Sequence, residues 1–151
     1  MKSLLTFKQQ KGLSLIEVLL ALTVSAMVIV MSTRYFWTAN QAANITQATS
    51  QIQRITNASY QWLDANRQSD FADITLTALV SANLISANDQ TNPWGGTITA
   101  SVGQSDPTHV RITLASVPQT QCQALVRALA TTAYTEISTC TADNTTYWGE
   151  F

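Results

Sequence analysis

Read for apolar and polar positions, the chain changes character at about Met31. Leu13 to Met31 is a run of nineteen residues in which Glu17 is the only charge, and neither Gly nor Pro occurs between Leu13 and Asn92. About 20 apolar residues in helical form cross a bilayer, and with no breaker beyond Met31 the helix continues into polar sequence. There Ile45, Ala48, Ile52, Ile55, Ser59 and Trp62 recur at steps of three and four, an amphipathic stripe at helical period. Gln47, Gln51, Arg54 and Asn57 fall on other faces. The pattern predicts one helix from about Leu13 to Asn66, roughly 54 residues and roughly 80 Å at 1.5 Å per residue. Its second half packs on the rest of the domain through that stripe.

The remaining sequence reads as shorter elements. Asp70-Phe71-Ala72-Asp73 interrupts the helical pattern and caps a short helix whose Leu76, Leu79, Val80 and Leu84 share a face. Asn92-Pro93-Trp94-Gly95-Gly96 is the densest turn signal in the chain. Ile98, Ala100 and Val102, then Val110, Ile112 and Leu114, alternate at period two on either side of Ser105-Asp106-Pro107, which predicts an antiparallel hairpin. Pro118 opens a helix at a position where its missing N–H does no harm, with Cys122, Leu125, Val126, Leu129 and Ala130 on one face. Tyr134 to Cys140 reads as a last strand, and Tyr147, Trp148 and Phe151 either pack on the sheet edge or are displayed. The fold class is α+β.

Composition and charge narrow the setting. Charged residues are 11% of the chain, against about 25% in an average soluble protein. Beyond the apolar run the sequence is rich in Thr, Ser, Asn, Gln and Ala, a neutral polar surface suited to packing against copies of itself or to life outside the cell. All three lysines, Lys2, Lys8 and Lys11, precede Leu13; the rest holds five arginines against nine acids, a formal charge of 5 − 9 = −4. No basic patch suggests direct nucleic-acid binding. Lysines before an apolar run satisfy the positive-inside rule, so the chain starts in the cytoplasm and continues outside. Cys122 and Cys140 are the only possible intramolecular pair, and in an exported chain they favour a disulfide.

Three kinds of segment begin this way. A conventional signal peptide needs an apolar core of about 7–15 residues ending in a small-x-small site, but this run is longer and Ser32-Thr33-Arg34-Tyr35-Phe36-Trp37 is too bulky to cut. A plain uncleaved anchor fits the length, although a carboxylate at the bilayer centre costs roughly 2.5–3.5 kcal/mol on insertion scales. The third follows from Lys11-Gly12 before Leu13-Ser14-Leu15-Ile16-Glu17-Val18-Leu19. Basic residue, glycine, apolar residue, then glutamate four positions on resembles the class III leader junction of type IV pilins and pseudopilins.

The resemblance implies the pilin fold, its long helix packed by the second half on an antiparallel sheet, with a disulfide-bounded C-terminal region between Cys122 and Cys140. It implies a cleaved leader at 1–12, a transmembrane and polymerisation segment at 13–31, and a periplasmic, later extracellular, domain at 32–151. A prepilin peptidase would cut between Gly12 and Leu13, and the new amino terminus at Leu13 would be methylated. Glu17 would pair with the terminal amine of a neighbouring subunit during assembly. The chain is then a type IV pilus subunit, held in the bacterial inner membrane before it joins an extracellular filament of identical or related pilins. A minor pilin or type II secretion pseudopilin has the same architecture, though retention of Glu17 argues against the tip pseudopilins that lack it. From another class, an uncleaved bitopic inner-membrane protein with a periplasmic binding domain also fits.

The order of elements and the Asn-Pro-aromatic-Gly-Gly turn resemble the small type IVb pilins, although a 12-residue leader is shorter than that branch usually has. Members of one large pilin branch carry Pro or Gly in the first half of the helix; this sequence has neither.

Catalytic chemistry has no sequence signature here. The single histidine, His109, begins a predicted strand as a solvated edge residue. Asp70 and Asp73 are better placed to cap than to hold a cation, and no His/Cys/carboxylate cluster has metal-ligand spacing. No phosphate-cradling glycine motif occurs. The reading is a non-enzymatic subunit with no cofactor and no metal.

Overall fold

The computed structural model describes residues 14–133, 138–143 and 145–151. Helix α1 runs Leu15–Asn66 without interruption, as the absence of Gly and Pro requires. The chain forms two compact units that divide between Ala39 and Asn40. In the first, the described residues are the apolar part of α1, and every one of them is exposed.

In the second unit, α1 supplies Ala48, Ile52, Ile55 and Ala58 to the core, so the sequence stripe is the packed face. Gln51, expected on another face, is also buried. It lies three residues after Ala48 and four before Ile55, and its amide Nε2 donates to the Thr91 carbonyl at 3.0 Å, which offsets the desolvation of the amide nitrogen, while Oε1 is buried without a hydrogen-bond partner among the described residues. Ser59 is buried by the same logic, its hydroxyl donating to the Ile55 carbonyl at 2.7 Å. The helix closes at Arg67, which takes a left-handed φ of 53°. The Gln68 and Arg67 N–H groups return to the carbonyls of Leu63 and Asp64, a Schellman closure made without glycine.

Helix α2, Leu76–Ser81, is capped by Thr75, whose hydroxyl accepts from the Ala78 N–H. The Asp70–Asp73 segment therefore does not cap it. Asp70 instead accepts from the Ala72 N–H at 3.1 Å within its own turn, while Phe71 is buried against the edge of Tyr60, ring centroids 5.3 Å apart. A 3-10 turn, Ala87–Gln90, carries a capping box between Ser86 and Asp89.

The Asn92–Gly96 turn is held by its first residue. The Asn92 Oδ1 accepts from the N–H groups of Trp94 and Gly96, both at 3.0 Å, and Nδ2 donates to the Ala115 carbonyl at 2.6 Å. Gly95 sits at φ 82°, a region L side chains rarely enter. A Cβ on Gly96 would lie 1.9 Å from the Ala115 carbonyl oxygen, so both glycines are required. Strands β1, Ile98–Val102, and β2, Val110–Leu114, then form the expected antiparallel hairpin with Ala100 opposite Ile112. Helix α3, Gln119–Leu129, begins one residue after Pro118 and buries Gln121, Cys122, Leu125 and Leu129, while Ala130 lies outside the face.

The last strands differ from expectation. Strand β3 is Ser138–Cys140; the earlier part of the predicted Tyr134–Cys140 strand lies outside the described residues, except where it meets β3. A further strand, β4, is Tyr147–Glu150, and the sheet order is β1-β2-β4-β3, antiparallel throughout. Tyr147, Trp148 and Phe151 are therefore neither displayed nor at a sheet edge. Tyr147 is fully buried, and Phe151 is buried and exchanges two backbone hydrogen bonds with Val110.

Candidate functional site

The first turn of α1 is built around Glu17. The Ser14 carbonyl accepts from the N–H groups of Glu17, at 2.9 Å, and Val18, at 3.2 Å, which starts the helix. The Glu17 carboxylate turns back and accepts from the Ser14 N–H, Oε2 at 2.9 Å. One carboxylate thus satisfies a donor that the helix leaves unpaired, at the end where the macrodipole favours negative charge by about 0.3–1 kcal/mol. Gly12 and Leu13 lie outside the described residues, so the structure brings together Ser14 and Glu17 and says nothing of the amine that Glu17 is expected to meet.

Beyond this turn the segment presents apolar surface all round. Leu15, Ile16, Leu20, Leu22, Met27 and Ile29 are each more than 60% exposed, and a window of α1 long and apolar enough to cross a membrane has no buried residue. Helices that are hydrophobic on every side are buried in another medium or in other chains. The polar atoms are already satisfied within the helix. The hydroxyls of Thr23, Ser25, Ser32 and Thr33 donate to carbonyls three or four residues back, at 2.7 to 2.9 Å, the arrangement that lets Ser and Thr enter an apolar medium.

The second unit carries a separate cluster that holds its last strands. Cys122 of α3 and Cys140 of β3 are joined as a disulfide, Cα atoms 6.2 Å apart, as expected from the cysteine count. Glu150 of β4 is fully buried and has no sequence signal. Its carboxylate accepts from the Gln104 N–H at 2.8 Å, from the Ser105 hydroxyl, and from Arg111, whose terminal nitrogen is 3.0 Å away. The Arg111 guanidinium lies 4.0 Å over the Trp148 ring. Burial pushes the Glu150 carboxyl up, but the Ser105, Gln104 and Arg111 contacts outweigh it and hold the group below its ordinary value. Burial also pushes the Tyr147 phenol up to about 12, against a hydrogen bond with the Ser138 hydroxyl at 2.9 Å.

His109 is largely covered rather than solvated, its side chain 15% exposed, with Nδ1 3.7 Å from Asp106. A cleft of about 550 Å³ lined by Arg54, Asn57, Asn83, Ser86 and Asp89 holds one ion pair, Arg54 to Asp89 at 2.6 Å. Among the described residues no group of three or more His, Cys, Asp or Glu is placed to hold a metal.

Comparison with known proteins adds to this geometry. The family described as PilS N terminal matches residues 37–149, and the prokaryotic N-terminal methylation motif matches residues 7–33. No curated protein sequence matches the chain. Among solved structures the chain is similar to TcpA, a type IV pilin from the Vibrio cholerae El Tor biotype, with 20% identity and a TM-score of 0.49. The similarity covers 60% of this chain and spans 59% of that one.

Proposed function

Because this chain belongs to the PilS N-terminal family of type IV pilins, we propose that it is a prepilin whose product is a structural subunit of a type IV pilus. Residues 1–12 are the leader, removed by a prepilin peptidase after Gly12, and the new amino terminus at Leu13 is methylated. Residues 13–31 hold the precursor in the inner membrane and then bundle with the same segment of identical or related subunits. Residues 32–151 supply the domain that the filament presents outside the cell.

The observation that carries this reading is a helical segment with apolar surface on every side and one carboxylate, Glu17, in its first turn. A lipid bilayer covers that surface before assembly, and neighbouring helices cover it afterwards. Processing leaves an ammonium at Leu13 in surroundings that solvate it poorly. Glu17 of a neighbouring subunit neutralises it, and only one axial stagger brings the two charges together. Removing one partner of a buried pair costs about 3–5 kcal/mol, which is enough to fix the register of addition.

The test is expression in a host that carries a prepilin peptidase and a pilus assembly ATPase, followed by shearing of the cells. Recovery of the chain in sheared filaments supports the subunit role. A chain that stays wholly in the inner membrane under those conditions is the bitopic protein instead.

A further inference from the structure

After the apolar run, beyond Ser32 and Thr33, come four consecutive residues, Arg34-Tyr35-Phe36-Trp37, all within α1 and all exposed. Tyr35, Phe36 and Trp37 are 79%, 69% and 66% exposed, the bulkiest uncovered group among the described residues of the first unit. Successive residues in an α-helix are about 100° apart, so the three rings sweep about 200° of its circumference and Arg34 extends the sweep to about 300°. A surface made for one protein partner would place its aromatics three and four residues apart on one face. A ring around the helix fits a medium that surrounds it.

We propose that Arg34-Tyr35-Phe36-Trp37 is a collar that binds the headgroup zone of the bilayer's non-cytoplasmic leaflet and sets the depth of α1 before assembly. The proposal rests on the membrane stage of the function given above. The length of the chain places the collar there. Leu13 to Met31 is nineteen residues, which at 1.5 Å each span roughly 28 Å, close to the ~30 Å hydrocarbon core. Lys2, Lys8 and Lys11 keep the other end cytoplasmic. Tyr and Trp combine an apolar body with a polar tip and gather at membrane–water interfaces, and Arg34 extends its guanidinium to lipid phosphate. Beside the rings, Met31, Ser32, Tyr35, Phe36 and Ala39 border an open groove of about 460 Å³. Thr38, Asn40 and Gln41 follow at once, so polar sequence begins where the collar ends.

The consequence concerns Glu17. It lies twenty residues before Trp37, roughly 30 Å along the helix. A collar fixed at one interface therefore holds Glu17 about one helical turn, roughly 6 Å, inside the other, near enough for its carboxylate to reach toward the cytoplasmic headgroups, and keeps the Gly12–Leu13 bond within reach of cytoplasmic-side cleavage.

The experiment compares the 151-residue chain with Trp37→Phe after reconstitution into phosphatidylethanolamine/phosphatidylglycerol vesicles. The difference between their emission spectra isolates Trp37 from Trp62, Trp94 and Trp148. The collar requires a difference spectrum shifted to the blue of aqueous tryptophan, quenched more strongly by lipids brominated near the headgroup than by lipids brominated deep in the acyl chain. An unshifted aqueous spectrum, or stronger deep quenching, in protein that floats with the vesicles overturns the collar and leaves the membrane stage intact. Failure of the chain to float overturns the membrane stage, and the collar with it.

Discussion

Glu17 carries two tasks that a single substitution can separate. Its carboxylate accepts the Ser14 N–H in the isolated chain, and in the proposed assembly it would pair with the ammonium of a neighbour. Glutamine keeps an acceptor for the N–H and loses the charge; alanine loses both. If pairing governs assembly, Glu17→Gln and Glu17→Ala are both cleaved, and both give far fewer sheared filaments than the native chain. Filament yield restored by glutamine alone would make capping the working role. Glu150 makes a second prediction at this scale. Its folded-state carboxyl is held below its ordinary value, so the contribution to stability is full above the unfolded value, about 4.3, and is lost as pH falls through the folded one. Asp106 and Asp143 are lowered too, by hydrogen bonds from Thr108 and from Thr141 and Thr145, and act in the same direction. The midpoint of thermal unfolding should therefore drop as the pH goes below about 4, and Glu150→Gln should flatten that dependence while lowering stability at pH 7.

Among the elements, what could be read from sequence was whatever a local pattern determines. The continuity of α1 follows from the absence of breakers, its packed face from spacings of three and four, and the β1–β2 hairpin from alternation on either side of a turn. Strand β4 had no such signature. Tyr147-Trp148-Gly149-Glu150 offers a glycine and a carboxylate where an inner strand ordinarily places apolar side chains. It is buried because Arg111, on β2 and 39 residues away, meets Glu150. Only the tertiary structure brings those residues together, and the same is true of Gln51 and the Thr91 carbonyl. The Cys122–Cys140 pair was legible because there is no second choice. That disulfide ties α3 to the edge strand β3 across 18 residues, and removing it should cost about 3 kcal/mol by the chain-entropy argument. Denaturant unfolding of Cys122→Ala/Cys140→Ala against the native chain measures this. An unchanged midpoint would mean that β3 is held by its pairing with β4 and by packing alone.

For the whole molecule, the sequence orders its tasks along the chain. Three lysines precede Leu13, an apolar segment follows, and the remainder carries a formal charge of 5 − 9 = −4 on a largely neutral polar surface. Loss of residues 1–12 would remove every lysine and leave an acidic subunit of 151 − 12 = 139 residues. On the proposed function the same cut would create the amine that pairs with Glu17, so that processing and assembly would both depend on one peptide bond. The measurement that bears most directly on this account is mass spectrometry of the amino terminus of the chain, taken from a host with an active prepilin peptidase. The account predicts a terminus at Leu13 carrying one methyl group; an intact Met1, or cleavage anywhere but after Gly12, would contradict it.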